Sequence, residues 1–345
     1  MRILIITQKM DKDDPVLGFF HRWVAEFSKK FESIVVICLE KGSIDLPKNV
    51  HVFSLGKEEG KSRLKYIRLF YSYIFREKKN YDAVFVHMNQ EYILLGGIFW
   101  KIFGKKIYMW RNHHAGSFLT DIAASFCTNV FCTSKFSFTA KYKKTILMPV
   151  GVDTDFFKPN VSVKRVSRSI LFLARMARVK KPDVLLSVLA TLAEKKEPFT
   201  ASFYGDPLPK DSSYYVELQA FAYRNNLSEH VSFHAGVPND KTPEIYSTHN
   251  IFVNLSSSGM YDKTIFEAMA CGSLVLASNK NLYGLIDDHF IFEEGNEAEL
   301  ETKLVALLNE PAEKMTYSGK TLRETVIKNH SLSKLAARLS EIIRR

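Results

Sequence analysis

Side chains of the types needed to hold an anion lie in two short segments of the second half of the chain. The first segment carries Arg175 and Lys180 just after an apolar run. The second places Asp262, Lys263 and Thr264 where another apolar run gives way to a helix-forming one. A helix N-terminus offers unpaired N–H groups and partial positive charge to phosphate groups, which nearby cations also attract. By itself the basic segment is more typical of a solvated loop, so the elements that position it decide the interpretation.

The first half of the chain alternates short apolar runs with helix-length segments. Ser33–Leu39 is apolar throughout, as strands buried on both faces of a parallel sheet are. Gly18–Phe31 carries apolar residues at helical spacing. Strands that alternate with helices predict a parallel sheet covered on both faces. The predicted strands are Arg2–Thr7, Ser33–Leu39, Asp82–His87, Lys106–Trp110, Asn129–Cys132 and Thr145–Met148.

A segment rich in Pro, Gly and Asp, Pro149–Pro159, interrupts the alternation and predicts a domain boundary. A length of 345 residues also suits two domains better than one. We therefore predict an α/β protein with two doubly wound domains, residues 1–150 and 151–330, and a final helix at 331–345. The second domain's predicted strands are Ile170–Ala174, Thr200–Tyr204, Val231–His234, Ile251–Leu255 and Leu274–Ala277, with helices from Lys181, around Tyr215–Arg224, at Thr264–Ala270 and in three pieces from Glu297.

The run Phe266–Ser278, which reads Phe-Glu-Ala-Met-Ala-Cys-Gly-Ser-Leu-Val-Leu-Ala-Ser, closely resembles the family 4 glycosyltransferases with the GT-B architecture. Gly151–Asp153 and Leu171–Lys180 extend the resemblance, which covers nearly the whole chain although its sharp motifs lie in the second half. It implies two Rossmann-like domains facing across a cleft, with the C-terminal helix packing back on the N-terminal domain. It also implies that the N-terminal domain binds an acceptor and the C-terminal domain a nucleotide sugar.

The resemblance assigns roles to residues of the second domain. Arg175 and Lys180 stand at the spacing of the family's pyrophosphate clamp, and Glu267 takes the position of the glutamate that binds the ribose hydroxyls. A solvated basic loop and a solvent-facing helix glutamate are the alternative interpretations. The residues expected at the helix N-terminus that receives the donor are Asp262, Lys263 and Thr264.

In the first domain the resemblance points to a glycine and a histidine. Gly18 opens the first helix after an acidic loop, where the family's glycine lets backbone approach the donor phosphate. The family also has a histidine at a strand end that contacts the donor sugar near the reacting carbon. Either His113 or His114 fits that position after Lys106–Trp110, and we favour His113; His87 is a weaker candidate.

Two positions depart from the family pattern. The family often has a second glutamate eight positions before Glu267, where this chain has Gly259. That glutamate usually reaches the donor sugar, so its replacement leaves the donor open, and Asp262 is a candidate to take over the sugar contact. Lys181 stands where the family usually has glycine.

The expected reaction is retaining transfer of a sugar, hexosyltransferase-like and independent of metal, to a glycan or lipid-linked acceptor, as in bacterial-type surface polysaccharide synthesis. No pair of carboxylates suggests a double displacement. The resemblance implies an oxocarbenium-like state in which the departing phosphate helps to deprotonate the acceptor. No cofactor is expected, because the nucleotide sugar is a substrate. The alternatives are a nucleotide-sugar 2-epimerase and a non-catalytic protein that binds nucleotide sugars or a membrane surface.

The net charge of +11 resides in the first half, where residues 1–150 hold 24 Lys and Arg against 13 Asp and Glu. Residues 151–345 hold 24 of each sign. Within the first half, Lys61–Lys79 packs seven cations and five Tyr or Phe into one predicted helix. Such a helix is typical of an anionic membrane interface, or of an ordinary packing helix with a basic outer face. Nucleic acid is not an expected partner, since no recognition motif accompanies the charge.

The remaining features agree with a cytoplasmic protein, peripheral to the inner face of the membrane. The N-terminal MRILIITQ lacks the long apolar region and cleavage site of a signal peptide, and we expect no membrane-spanning segment. The cysteines are far apart and lack metal-ligand spacing, so free buried thiols are expected, although Cys127 and Cys132 have C-x4-C spacing. The four cysteines are Cys38, Cys127, Cys132 and Cys271.

Overall fold

Two α/β units make up the protein. The computed structural model describes residues 1–14, 16–257 and 259–345. Unit 1 comprises Met1–Gly151 together with Leu332–Arg345, and unit 2 comprises Val152–Ser331. The four cysteines are buried and free, as the sequence predicted.

Unit 1 is built on a seven-stranded sheet in the order β3-β2-β1-β4-β5-β6-β7, with parallel pairing between neighbours. Parallel strands need crossover connections, which are usually helices, and such helices cover the two faces of this sheet. The strands are β1 Arg2–Met10, β2 Ser33–Lys41, β3 Val50–Ser54, β4 Ala83–His87, β5 Lys106–Trp110, β6 Asn129–Cys132 and β7 Thr145–Leu147. The helices between them are α1 Gly18–Ser28, α2 Arg63–Arg76, α3 Glu91–Ile102 and α4 Phe118–Phe126.

Unit 2 has a five-stranded parallel sheet in the order β10-β9-β8-β11-β12. Its strands are short, and the three next to one another at β8, β11 and β12 are nearly all apolar and buried, which suits strands covered on both faces. The strands are β8 Ser169–Leu173, β9 Thr200–Tyr204, β10 Val231–His234, β11 Ile251–Asn254 and β12 Leu274–Ala277. The helices are α5 Pro182–Glu194, α6 Ser212–Arg224, α7 Thr242–Thr248, α8 Lys263–Ala270, α9 Glu297–Leu308 and α10 Ala312–His330.

The last helix, α11 (Leu332–Arg344), returns to unit 1 and packs beside α1. Its apolar residues recur at three- and four-residue intervals and form one buried stripe, while charged residues occupy the other face. The stripe joins the core formed by α1 and one face of the sheet. Each fully buried Leu or Ile contributes roughly 1.5–3 kcal/mol. The stripe consists of Leu332, Leu335, Ala336, Leu339 and Ile343.

Each sheet reverses its strand order at one place, and such a switch point is where ligands bind in open α/β sheets. In unit 1 the reversal falls between β1 and β4, and in unit 2 between β8 and β11. The loops at the carboxyl ends of these four strands therefore define where the functional residues should lie.

The predicted fold class is confirmed, including the return of the C-terminal helix to unit 1. Apart from β3, the strands lie where the sequence placed them, within about three residues at their ends. The sequence analysis missed β3, a half-exposed strand at the edge of the unit 1 sheet.

Candidate functional site

Two loops meet at the switch point of unit 2. The loop after β8 contains Arg175 and ends in a short 3₁₀ turn, Arg178–Lys180. The loop after β11 leads to Asp262, immediately before α8. The Lys180 ammonium lies 2.6 Å from the Asp262 carboxylate, so a salt bridge joins the two loops. Ser256 completes the contact, because Lys180 Nζ also lies 2.9 Å from its hydroxyl oxygen.

Asp262 is the N-cap of α8 and is largely buried. Its Oδ1 accepts hydrogen bonds from the Thr264 backbone N–H at 3.2 Å and hydroxyl at 2.7 Å, and its Oδ2 accepts one from Ser256 at 2.8 Å. Burial by itself would raise the pKa of Asp262, but Lys180 and these hydrogen bonds outweigh burial and hold the pKa well below its usual range. The carboxylate therefore stays charged. It occupies part of the helix N-terminus at which the sequence analysis expects the donor diphosphate to bind.

Arg175 lies in the same loop as Lys180 but has a different environment. Its side chain is exposed and makes no hydrogen bond or ion pair with any residue that the structure describes. The backbone around it is closely packed, because a Cβ atom at Gly205 would lie 1.9 Å from the carbonyl oxygen of Ala174. Gly205 therefore allows β9 to end against the peptide that precedes Arg175.

The other two cations of this loop have partners within unit 2. Arg178 donates a hydrogen bond to Glu217 at 3.0 Å, and its guanidinium lies 4.3 Å from the ring centre of Tyr214. Lys181 pairs with Glu294 at 2.9 Å. Lys181 also adopts φ +54°, in the left-handed region that favours glycine. This backbone conformation explains why a glycine suits the position. In this chain a lysine adopts the same conformation.

Glu267 lies on the buried side of α8 and is only 5% exposed, which rules out a solvent-facing glutamate. Burial and then the Glu267 carboxylate raise the pKa values of Tyr246 and Cys271, so both groups stay neutral around it. Among the other residues at this helix, Lys263 is half-buried in the first turn, and Thr264 accepts a hydrogen bond from Asn254 at 3.3 Å.

The loop before α8 accounts for the missing glutamate. Gly259 has φ +143°, a backbone conformation that residues with side chains rarely adopt. A glutamate would therefore not fit at 259 in this loop conformation. The neighbouring Ser258, also part of the predicted loop, lies outside the described residues.

Two arginines that the sequence analysis did not single out hold the other end of α8. Arg323 donates to the carbonyl oxygens of Ala270, Phe157 (2.9 Å) and Thr154 (3.1 Å). Arg165 donates to Gly272 at 2.6 Å and to Cys271 at 3.3 Å. Cations beside the last carbonyls of a helix satisfy their hydrogen bonds and favour its dipole. Isolated arginines carry no sequence signal for this role, so only the structure identifies them.

Gly18 begins α1 at the switch point of unit 1. A Cβ atom there would lie 2.9 Å from the carbonyl oxygen of Lys12, so backbone approaches it closely. The preceding loop is fixed by Asp14, whose Oδ1 accepts hydrogen bonds from the N–H groups of residues 16 and 17 at 2.9 and 2.7 Å. Lys9 in turn pairs with Asp14 at 2.9 Å and with Glu40 at 2.7 Å.

The candidate histidines of unit 1 differ in exposure. His113 and His114 are exposed after β5 and stack with ring centres 4.5 Å apart. The backbone carbonyl of His113 accepts a hydrogen bond from the Phe138 N–H at 2.9 Å, which fixes this loop. His87 is buried at the switch point, 3.2 Å from the Thr7 hydroxyl and stacked on Phe20 at 3.9 Å. Its position is that of a core residue, whereas His113 and His114 are accessible.

The structure thus brings together Lys180, Asp262 and Thr264 at the start of α8. Lys263 and Glu267 lie on the same helix, and Arg175 lies in the loop that ends at Lys180. Gly18 and His113 lie in unit 1. Over residues 1–14, 16–257 and 259–345, no group of three or more His, Cys, Asp or Glu side chains is arranged to hold a metal ion. In the same ranges no helix has the length and apolarity needed to cross a membrane.

The chain is similar to known proteins in both sequence and structure. The family model described as "Glycosyl transferases group 1" matches residues 153–325, which contain the whole unit 2 site. D-inositol 3-phosphate glycosyltransferase 2 of Catenulispora acidiphila is 30% identical over 142 residues, which are 37% of this chain and 33% of that protein. A GDP-mannose-dependent alpha-(1-6)-phosphatidylinositol monomannoside mannosyltransferase of Mycobacterium tuberculosis is 24% identical over 222 residues, 57% of this chain and 55% of that protein. The chain thus spans between a third and about half the length of these relatives.

Among solved structures, Anabaena HepE in complex with UDP is similar over 100% of both chains, with a TM-score of 0.79 and 18% sequence identity. At this identity the similarity establishes the fold. It shows that the two-unit α/β architecture is that of GT-B proteins.

Proposed function

The chain belongs to the group 1 glycosyltransferases, and from this premise we propose that it is a retaining glycosyltransferase. It moves a sugar from a nucleoside-diphosphate sugar to a glycan or lipid-linked acceptor, in the synthesis of a surface polysaccharide. Unit 2 binds the donor and unit 1 the acceptor.

The observation that carries the proposal is the pair of loops at the unit 2 switch point. Lys180 is joined to Asp262 at the start of α8, and the exposed Arg175 lies in the loop that ends at Lys180, which supports a diphosphate site at the N-terminus of this helix. HepE was solved in complex with UDP, which supports nucleotide binding by a protein with this fold. The named activities of the two relatives support a sugar donor and an inositol- or lipid-linked acceptor.

The proposed chemistry is a substitution at the anomeric carbon of the donor. The bond from this carbon to the phosphate oxygen breaks while a bond to the acceptor hydroxyl oxygen forms on the same face of the sugar. The acceptor proton passes to the departing phosphate oxygen. Arg175 and Lys180 stabilise the charge that develops on the leaving diphosphate, which is the main requirement of such a reaction. Because two cations serve this purpose, we propose that transfer does not require a bound metal, and activity should persist in excess EDTA.

The remaining donor and acceptor roles follow the family pattern. Glu267 is proposed to bind the ribose hydroxyls, for which a buried carboxylate held by a fixed helix is suited. Gly18, packed against the Lys12 carbonyl, is proposed to let backbone approach the donor phosphate. His113 is the candidate for contact with the transferred sugar, since it is exposed at the carboxyl end of β5.

We further propose that unit 1 binds an anionic membrane through a surface formed by α2 and α3, the α2–α3 surface. Phe75 of α2 packs against Phe99 of α3 and against Phe103, which follows α3, with ring centres 5.1 and 5.6 Å apart, so the two helices present adjacent outer faces. These faces expose large apolar side chains among cations, while α2 buries only Phe70 and Ile74 completely. The exposed apolar residues are Leu64, Ile67, Phe75, Ile98 and Ile102, and the neighbouring cations are Arg63, Lys65, Arg68, Arg76 and Lys101.

The function is tested by incubating the purified protein with UDP-, GDP- and ADP-sugars plus a membrane extract, and measuring release of the nucleoside diphosphate. We expect one donor to be consumed only when acceptor is present, and E267Q to lose this activity. Conversion of the donor to its epimer without transfer would instead support an epimerase. Failure to bind or consume any donor would contradict the proposal and favour a non-catalytic binding protein.

A further inference from the structure

Asp262 has no carboxylate oxygen left for a ligand. Oδ1 accepts the two hydrogen bonds from Thr264, and Oδ2 accepts those from Lys180 and Ser256. The side chain is only 15% exposed. A carboxylate that contacts a sugar must present at least one oxygen to it. The arrangement therefore does not favour the direct sugar contact that the sequence suggested for Asp262.

Asp262 acts on Lys180, whose ammonium group it binds. A lysine ammonium has three N–H groups. In Lys180 the ammonium lies 2.6 Å from Asp262 and 2.9 Å from Ser256, which together engage two of the three. The third remains for another acceptor. A free lysine side chain loses considerable conformational entropy when it binds a ligand, whereas one that is already held in place loses less.

We propose that Asp262 is a positioning residue that holds Lys180 in the orientation in which it binds the donor diphosphate. The inference rests on the proposed function, because it assigns a partner to a residue of the same site. Asp262 then has a different role from the family glutamate that Gly259 replaces. Its carboxylate binds the protein's own Lys180 instead of the sugar. In the donor complex, Lys180 bridges Asp262 and a phosphate oxygen.

The first test is D262N with UDP, GDP and ADP as probes, using the tightest binder in calorimetry. Asparagine is as good an N-cap as aspartate, so α8 should stay folded while Lys180 loses its counter-charge. We expect D262N to weaken nucleotide binding about tenfold, the size expected for a charged hydrogen bond. The matched control is D287N, which changes the N-cap aspartate of the 3₁₀ turn Asp288–Phe290 in unit 2. Asp287 pairs with no lysine among the described residues, so D287N should bind normally.

A double-mutant cycle with K180M separates positioning from direct contact. If Asp262 acts through Lys180, then D262N should cause no further loss of affinity in the K180M background. K180M leaves Asp262 buried without its cation and should lower the melting temperature, and adding D262N should restore part of it. A second loss of affinity in the double variant, equal to that of D262N alone, would mean direct contact and overturn the proposal.

The orientation of Lys180 is tested without any ligand. Limited acylation of lysine amines, read by mass spectrometry, should label Lys180 several-fold faster in D262N than in the wild type. Exposed Lys195 serves as the internal reference. Equal labelling of Lys180 in both proteins would overturn the proposal, as would tighter nucleotide binding by D262N, which would make Asp262 a competitor of the phosphate. If the wild type binds no nucleotide at all, the proposed function fails, while the labelling contrast still decides whether Asp262 holds Lys180.

Discussion

At the scale of single residues, the four cations of the loop after β8 are not equivalent. Lys180, Arg178 and Lys181 each have an acidic partner, whereas the Arg175 side chain has none among the described residues. The partners of Arg178 and Lys181 bind these two cations to other parts of unit 2, whereas Lys180 is held by Asp262 at the start of α8. The loop therefore offers a donor the unpaired charge of Arg175 and the fixed position of Lys180.

R175A should therefore weaken nucleoside-diphosphate binding roughly 10- to 100-fold, the range expected for loss of charged hydrogen bonds. The measurement is calorimetric titration with the nucleoside diphosphate of the preferred donor. R178A is the matched control: it removes the same side chain three positions along the loop, but one that is paired with Glu217. We expect R178A to change affinity less than threefold. Equal losses in the two variants would mean that the loop attracts the diphosphate only by its summed charge.

Lys181 should tolerate glycine better than alanine. Both substitutions remove the ion pair with Glu294, but only alanine keeps a Cβ atom at φ +54°. K181G is therefore expected to be more stable than K181A by about 1 kcal/mol in urea unfolding. Lys195, which has φ −77° as is typical of a helix end, provides the control. There the order should be reversed, with K195G less stable than K195A, and the same order at both positions would contradict the argument.

Some residues of the candidate site can be predicted from the sequence and others cannot. The resemblance to a family pattern selects Arg175, Lys180 and Glu267; in the structure the first two lie in the loop after β8 and Glu267 lies in α8. The anchoring of Lys180 by Asp262 could not be predicted, because it depends on side-chain geometry across two loops that are 82 residues apart. The same applies to Arg165 and Arg323, whose acceptors are backbone carbonyls without any sequence signature.

At the scale of elements, α8 is fixed at both ends. Asp262 caps its first turn, and Arg165 and Arg323 bind the carbonyls at and after its last turn. α10 passes close to the same end, since a Cβ atom at Gly319 would lie 2.5 Å from the Gly272 carbonyl oxygen. An eight-residue helix is too short to be stable alone, so these contacts keep its N-terminus in place for the donor.

The end of α10 should make stability depend on pH. His330 is buried beside Phe266 and Tyr261, and burial lowers its pKa to about 4. The folded protein therefore resists protonation that the unfolded chain accepts near pH 6.5. Stability is retained above pH 6.5 and is lost as the pH falls toward 4, by about 3 kcal/mol in total at 1.36 kcal/mol per pKa unit.

The measurement is the free energy of unfolding in urea between pH 7 and 4. The difference between wild type and H330Q should change by the amount expected for His330, because glutamine does not titrate. H114Q, which changes an exposed histidine, should follow the wild type over the whole range. Parallel curves for wild type and H330Q would exclude His330 as the cause of acid sensitivity.

Elements were easier to predict where they are buried on both sides. Ile34–Leu39 and Leu274–Ala277 are continuous apolar runs, and their strands were identified from that property. β3 reads Val-His-Val-Phe-Ser and lies half-exposed at the sheet edge, so its pattern is weak and its pairing with β2 depends on the rest of the sheet. The three helices of the C-terminal tail were predicted from their periodicity. The return of the last one to unit 1 came from the family resemblance, because periodicity does not specify a packing partner.

At the scale of the whole molecule, charge and chemistry are divided between the two halves. Residues 1–150 carry the entire net charge of +11, while residues 151–345 are neutral and contain the loops proposed to bind the donor. A donor-binding half without net charge, but with a few oriented cations, needs no general positive field. The excess charge of the other half therefore requires a different explanation, and an anionic surface recognised by the α2–α3 surface is the one we propose.

The protein should accordingly bind vesicles of phosphatidylcholine with 30% phosphatidylglycerol and not vesicles of phosphatidylcholine alone, as measured by flotation at 0.1 M salt. K65Q/R68Q should weaken binding roughly 30-fold, since each cation near an anionic surface contributes about 1 kcal/mol. L64S/I98S/I102S should weaken it at least as much, because these side chains are 80%, 58% and 73% exposed and would enter the headgroup zone.

The matched control is V216S/Y223S, which removes two similarly exposed apolar side chains from α6 of unit 2. It should leave vesicle binding unchanged if the α2–α3 surface is the contact. High salt separates the electrostatic contribution from the apolar one. At 0.5 M salt the wild type should lose most of its affinity, because screening weakens the attraction of Lys65 and Arg68 to the lipids but does not weaken apolar insertion. Binding that is equal on both vesicle types, or that α6 and the α2–α3 surface support equally, would mean that the charge of unit 1 serves another anionic partner.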